Sequence, residues 1–298
     1  MNPQETEEKI HQPFDLHLHS NCSDGSDTPE EVVRRAAERG ITMLALADHD
    51  NVSGVPAAMA EAERIGIRLL PAIEMDAEWP HEMHILGLDI DIREAQLTEA
   101  LTLALQRRGA RNKMIVEKLF QAGYDVRPYL VKDIGAATRL NIAIALVKGG
   151  FAADTRDAFS RLLRRGCPGY YSAERFPPEE IIRLIRGAGG VPVWAHPMHG
   201  HPDVHKLTPR LKEMGLMGLE AYHPSISEGD SVVLTSVARQ NQLLITCGSD
   251  YHGAHRQEVV PGQTWRDIPA LNECRAFFDG RPVRTLRQIG ETGAQTKL

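Results

Sequence analysis

Cysteine is scarce in this chain. Cys22, Cys167, Cys247 and Cys274 are scattered through 298 residues, and no two of them form a Cys-x-x-Cys pair. That spacing argues against a disulfide framework and against a structural zinc knuckle, and reduced thiols are expected. No apolar run approaches the roughly 18 residues of a membrane span. The polar, acidic opening, residues 1–11, is unlike a charged-then-apolar secretion signal, so a cytoplasmic protein without membrane contact is expected. Three motifs are missing as well: the Gly-x-Ser-x-Gly elbow of serine hydrolases, the Gly-x-x-x-x-Gly-Lys phosphate loop and the dinucleotide-binding Gly-x-Gly-x-x-Gly. There is no fixed-period repeat and no low-complexity segment.

With 42% hydrophobic and 25% charged residues, the chain is long enough for one large domain carrying a smaller one. Its net charge of −6 is unevenly spread. Residues 94–175 hold 14 Lys/Arg against 8 Asp/Glu, a net of +6, leaving the remainder at 20 against 32, a net of −12. Solvated faces account for most such imbalances. An acidic part that gathers cations beside a basic part is also an arrangement that attracts phosphate.

Strand and helix signals alternate through most of the chain. Asp27-Thr28-Pro29-Glu30-Glu31 reads as a helix start, with a capping residue, an early proline and acids near the positive end, and Gly40 stops that helix. Helices are likewise expected over 53–65 before Gly66, over 177–188 before Gly189-Gly190, and over 227–242. The intervening strands are short and apolar, as in a parallel sheet buried on both faces. Residues 94–175 depart from this grammar. They carry helical signals only, over 93–122, 138–148 and 155–165, and read as an all-helical insertion between 1–93 and 176–298. The tail after Thr285 is polar and expected to be mobile.

What the chain has in quantity is histidine and carboxylate at strand ends. Phe14-Asp15-Leu16-His17-Leu18-His19 alternates so that Asp15, His17 and His19 share one face. Asp48-His49, Glu74, His196 and Asp250-Tyr251-His252 each follow or end a later apolar run. α/β barrels gather their catalytic groups at that end of their strands. Mixed imidazole and carboxylate donors suit manganese, zinc or iron, whereas an all-oxygen set would suit magnesium or calcium.

These residues resemble a known family. Phe14 to Ser20 followed by Ser23-Asp24-Gly25, then Ala47-Asp48-His49-Asp50, Glu74, His84-Ile85-Leu86-Gly87, Ala195-His196-Pro197 and Gly248-Ser249-Asp250-Tyr251-His252, is similar in order and spacing to the motifs of the polymerase and histidinol phosphatase (PHP) superfamily. The likeness is greatest to a bacterial subfamily of nucleoside 3′,5′-bisphosphate phosphatases and a 5′-to-3′ exoribonuclease. The resemblance implies a distorted (β/α)7 barrel with a helical insertion, and a phosphoesterase using two or three divalent ions, manganese first, with zinc or iron as alternatives. It implies that His17, His19, Glu74 and Asp250 hold a first metal, Asp24, His49 and His252 a second, and Glu74, His84 and His196 a third. His17, His19, Glu74, Asp250 and His252 form the implied catalytic set, and a hydroxide shared between metals is the implied nucleophile.

Around this set, Asp48 and Asp50 suit ligand orientation, helix capping or plain solvent exposure. His199 and His223 follow strand ends and are candidates to face substrate, while Glu220 is a weaker ligand candidate. His11, His81, His201, His205 and His255 have only local polar neighbours. Arg139 is the first choice for a phosphate contact, and Arg107, Arg108 and Arg111, on one helix, are expected to be solvated. The subfamily's Arg-x-His-x-x-Arg is here Arg139-Leu140-Asn141-Ile142-Ala143-Ile144, and the arginine expected soon after Ala-His-Pro is missing from Met198-His199. The altered phosphate shell counts against bisphosphates and RNA and leaves room for a smaller phosphosugar or a cyclic sugar phosphate, within the expectation of a small nucleotide or phosphosugar ester, with an exoribonuclease as the alternative. Tyr124, Tyr129, Phe151, Tyr170 and Tyr171 are not interleaved with basic residues as an RNA track requires. A non-catalytic metal-binding module would show lost ligands, and all nine positions are filled. No obligate protein partner is evident.

Overall fold

The computed structural model describes residues 11–131 and 137–285. The polar tail after Thr285 lies outside them. Seven strands form one sheet in chain order: β1 Phe14–Leu18, β2 Met43–Leu46, β3 Arg68–Asp76, β4 His84–Leu88, β5 Val191–Ala195, β6 Gly218–Tyr222 and β7 Leu244–Cys247. The chain after β7 returns to β1. Asp250 N–H donates to the His17 carbonyl at 2.8 Å and His19 N–H to the Tyr251 carbonyl at 2.9 Å, so the sheet nearly closes into a barrel.

The sheet is not wholly parallel. β4 runs antiparallel to both β3 and β5, with His84 opposite Asp76 on one side and Ala195 on the other. The short link 77–83 holds no helix, and a parallel return needs a crossover of a dozen residues or more. The reversal places His84 at the beginning of its strand, yet at the same end of the barrel as the C-termini of the parallel strands.

Helices begin where capping chemistry favours them. Pro29–Glu38 opens with a full capping box: Thr28 N–H donates to Glu31 Oε2 at 2.8 Å, and Glu31 N–H donates to Thr28 Oγ1 at 3.3 Å. Val55–Ile65 ends at Gly66, whose φ of 84° is a left-handed cap that a Cβ would strain. Together with Leu18, Leu44, Leu46 and Tyr251, these two helices enclose a buried apolar cluster.

The chain divides into two compact units, 1–98 with 176–298, and 99–175. Ala95–Gln121 crosses that boundary, so the division falls inside its first turns. The second unit is helical, with Arg139–Lys148, Thr155–Ala158 and a π-turn at Phe159–Leu163. Ile115, Leu119, Ile142, Leu146 and Leu163 lie in its own apolar core. Asn141 accepts from Thr138 N–H at 2.7 Å and completes a capping box. Arg108 and Arg111 are buried, at 5% and 3% exposure, rather than solvated. Arg111 donates to Asn112 Oδ1 at 3.0 Å, so a fixed partner replaces water. Among the described residues, no helix is long and apolar enough to cross a membrane.

Candidate metal centre

Strand ends bring all nine expected ligand side chains into one cluster at one end of the barrel. Glu74 is its centre. Glu74 Oε2 lies 3.3 Å from both His17 Nε2 and His19 Nε2 and 3.2 Å from His49 Nδ1. Its other oxygen, Oε1, lies 2.9 Å from His84 Nδ1 and 3.0 Å from His196 Nε2. One carboxylate thus faces two sets of imidazoles with separate atoms. Asp250 Oδ1 lies 3.1 Å from His19 Nε2 and 3.6 Å from His17 Nε2. Asp24 Oδ1 stands 3.1 Å from His252 Nε2, and Asp24 Oδ2 is 3.7 Å from His49 Nε2.

Donor atoms within 4.8 Å of one another fall into overlapping groups: His17, His19 and Asp250; His19, Asp24, His49 and His252; Glu74, His84 and His196; and His49, Asp76 and His84. Asp76 was not foreseen. Its Oδ1 lies 3.1 Å from His84 Nε2, and its sequence signal is the alternation that sets it on the Glu74 face of β3.

The donors fit divalent ions on an observation independent of motif. His17 Nε2, both nitrogens of His19 and His49 Nδ1 are buried and make no hydrogen bond among the described residues. Leaving buried polar atoms unsatisfied is costly, and a divalent cation is a partner to which imidazole lone pairs donate. Asp50, His196 and Asp250 also adopt positive φ, at 50°, 29° and 53°, a strain that packing at a functional site sustains.

Electrostatics points the same way. Burial opposes ionisation of Glu74, Asp24 and Asp250, yet the surrounding imidazoles hold all three well below the usual carboxylate range. Burial likewise opposes charge on His17 and His19, but Glu74, Glu220 and Asp250 hold His17 well above its ordinary value, and Asp250 and Glu74 hold His19 at about 10. His49 and His196 are pushed by burial to about 4. A cation held here would meet carboxylates that are already charged and would take the place of the protons on His17 and His19.

Outside these donors, several side chains fix orientation. Asp48 accepts from Ser20 N–H, Ser20 Oγ and Ser23 Oγ, tying down the loop that carries Asp24. Asp15 accepts from the backbone N–H of His17, Ser249 and Gly262. His252 Nδ1 bonds the Asp250 carbonyl at 2.8 Å, turning Nε2 toward Asp24. His255 has a more specific partner than its sequence neighbours suggest: its Nδ1 bonds the Asp24 carbonyl at 2.8 Å.

His223 is buried and both its nitrogens are engaged. Ser225 N–H donates to Nδ1 at 3.1 Å, so Nε2 carries the proton toward Asp250 Oδ2 at 3.3 Å. Ser225 Oγ lies 2.8 Å from His223 Nδ1 and 2.7 Å from His199 Nε2, linking the two rings. His199 stacks on His196 with centroids 4.3 Å apart and remains half-buried. Arg256, which no motif or spacing singles out, pairs with Asp250 Oδ2. Glu220 joins none of the donor groups: its oxygens are used by His17 and the His196 backbone.

Residues 15–148 match the family described as PHP domain. A 5′-3′ exoribonuclease Rnm of Salmonella typhimurium is 35% identical over 80% of this chain and 85% of its own length. A phosphoribosyl 1,2-cyclic phosphate 1,2-diphosphodiesterase of Eggerthella lenta is 34% identical over 80% and 94%. A 3′,5′-nucleoside bisphosphate phosphatase of Chromobacterium violaceum is 33% identical over 92% and 98%. Among solved structures, an amidohydrolase from Chromobacterium violaceum with bound sulfate and no metal superposes with a TM-score of 0.81 at 33% identity, covering 88% of this chain and 96% of that one. The chain belongs to the PHP family and, with it, to the metal-dependent phosphoesterases.

Proposed function

We propose that the protein hydrolyses a phosphate monoester or cyclic diester of a small nucleotide or phosphosugar, using two or three divalent ions, manganese first. His17, His19, Glu74 and Asp250 would hold one ion, Asp24, His49 and His252 a second, and Glu74, His84 and His196 a third. The observation that carries this reading is Glu74, whose two oxygens face His17, His19 and His49 on one side and His84 and His196 on the other. Bound there, the ions supply positive charge that lowers the pKa of water and offsets charge on phosphoryl oxygens.

The chain's own residues then divide the work. Glu74, Asp24 and Asp250 bring ionised oxygens. His199, half-buried beside His196, is the substrate-facing imidazole of choice, while His223 acts through Asp250 because neither of its nitrogens is free. Arg139, on the basic helical unit, is the proposed phosphate contact, since a guanidinium fork suits phosphate oxygens.

The relatives' names include a cyclic phosphate diphosphodiesterase and a bisphosphate phosphatase, which support small substrates. The exoribonuclease relative, at similar identity, favours short RNA as a second reading. Phosphate or nucleotide release, measured across nucleoside 3′,5′-bisphosphates, cyclic phosphates, phosphosugars and short RNAs with manganese supplied, separates the two. Turnover of none of them overturns the proposal.

A further inference from the structure

We infer that Glu220 is a positioning residue that fixes two of the proposed metal-holding histidines at once, His17 through its ring and His196 through its backbone. The inference rests on the metal-centre reading above. Glu220 is fully buried on β6, and each of its oxygens has a separate task. Oε1 lies 3.1 Å from His17 Nδ1, and Oε2 accepts the His196 N–H at 2.8 Å.

The first bond decides which face of His17 can donate. A proton held on Nδ1 by a carboxylate leaves the Nε2 lone pair free, and Nε2 is the buried, unbonded nitrogen beside Glu74 and Asp250. The second bond anchors a strained turn. His196 has a φ of 29°, and the Glu220 bond holds its N–H so that the ring reaches Glu74 Oε1. The two histidines belong to different donor groups, so one carboxylate couples the first and third proposed positions.

The neighbouring backbone is shaped for this contact. A Cβ at Gly248 would collide with His17 Cβ and Glu220 Oε1, so glycine is needed to let the carboxylate approach.

Glu220→Gln should fail in a specific way. The site presents two donors, His17 Nδ1–H and His196 N–H, and a carboxamide has one acceptor atom. Either His17 reverses its tautomer and places a proton on Nε2, or the His196 N–H faces an NH2 group. Zinc titration of the metal-stripped protein, followed by calorimetry and metal analysis, should show binding weakened about 10–100-fold in the variant, with at least one tight site retained at Asp24, His49 and His252. Nitrogen-15 NMR of the zinc-loaded wild-type protein should find His17 protonated on Nδ1, a readout that does not depend on the variant folding. Wild-type zinc affinity and stoichiometry in Glu220→Gln, or a proton on His17 Nε2 in the wild type, overturns the inference. Failure of the wild type itself to take up zinc or manganese overturns this inference and the metal-centre reading beneath it, whereas normal uptake with no hydrolysis of any phosphate ester strikes the functional reading alone.

Discussion

The barrel unit and the helical unit both bury polar side chains, but of opposite kinds. At the barrel's strand ends the buried groups are imidazoles and carboxylates, among them His17, His19, Asp24, Glu74, Glu220 and Asp250. In the helical unit they are guanidinium and amide groups, Arg108, Arg111, Asn112 and Asn141. The first set offers lone pairs and negative charge, which suit cations; in the second, Arg111 donates to Asn112 Oδ1, Asn112 Nδ2 donates to the Ala137 carbonyl and Asn141 Oδ1 accepts from Thr138 N–H, so these groups are spent on the unit's own structure. The net −12 and +6 of the two stretches follow that division. The comparison teaches that this chain keeps the two kinds of buried polar group on separate scaffolds.

Removing the carboxylate at the centre of the cluster tests the barrel half most severely. Glu74→Gln should lower kcat/KM by more than the roughly 10–100-fold typical of residues that only orient ligands, and by more than His84→Ala, because it removes charge facing two sets of imidazoles. Both variants should hold less metal. Steady-state kinetics with metal analysis decides this, and full metal with full rate in Glu74→Gln would break the bridging assignment.

Arg139→Ala tests the other half. Loss of a charged hydrogen bond to phosphate should cost about 1.5–3 kcal/mol in kcat/KM while metal content stays at the wild-type level. Unchanged kinetics would confine the chemistry to the barrel and sharpen the contrast between the units.

A smaller effect separates the folding of the two units from their chemistry. Thr28 and Thr138 each cap a helix with a capping box, one in each unit. Thr28→Ala and Thr138→Ala should each destabilise by about 1 kcal/mol in urea unfolding. Wild-type metal uptake in Thr138→Ala would confirm that the donor cluster does not depend on the helical unit's stability, and loss of metal would contradict it.

The smallest expected effect lies on the barrel surface, where Arg64 and Arg34 hold the Glu61 carboxyl at about 2. Because this pKa is depressed below the unfolded value of about 4.3, the pair's stabilisation is present above that value and is lost as pH falls toward 2. The difference in unfolding midpoint between wild type and Glu61→Gln should therefore be slight at pH 7 and vanish in acid. A difference that grows on acidification would refute it.

Periodicity and capping chemistry by themselves determined much of this protein. The two-residue alternation of Asp15, His17 and His19 sets side chains on one face whatever the neighbours, and Thr28-Pro29 with Glu31 starts a helix through local bonds alone. Of the nine side chains that cluster, His17, His19, His49, Glu74, His196, Asp250 and His252 were legible from position, at a strand end or in the loop after it, whereas Asp24 and His84 came with the family resemblance. Only the tertiary structure decided what those residues meet. β4 runs antiparallel because the link before it is too short for a crossover, and that direction brings His84 to the cluster from the start of its strand. Glu220 and His223 lay beside the site in sequence, yet their roles depend on which atoms of distant strands approach each oxygen and nitrogen. Asp76 was passed over although it shares the Glu74 face, and Arg108 and Arg111 are buried where a charged helix face reads as solvated. Pattern along a chain reports the direction of a side chain relative to its own backbone; hydrogen bonding, burial and shared charge are set by what packs against it.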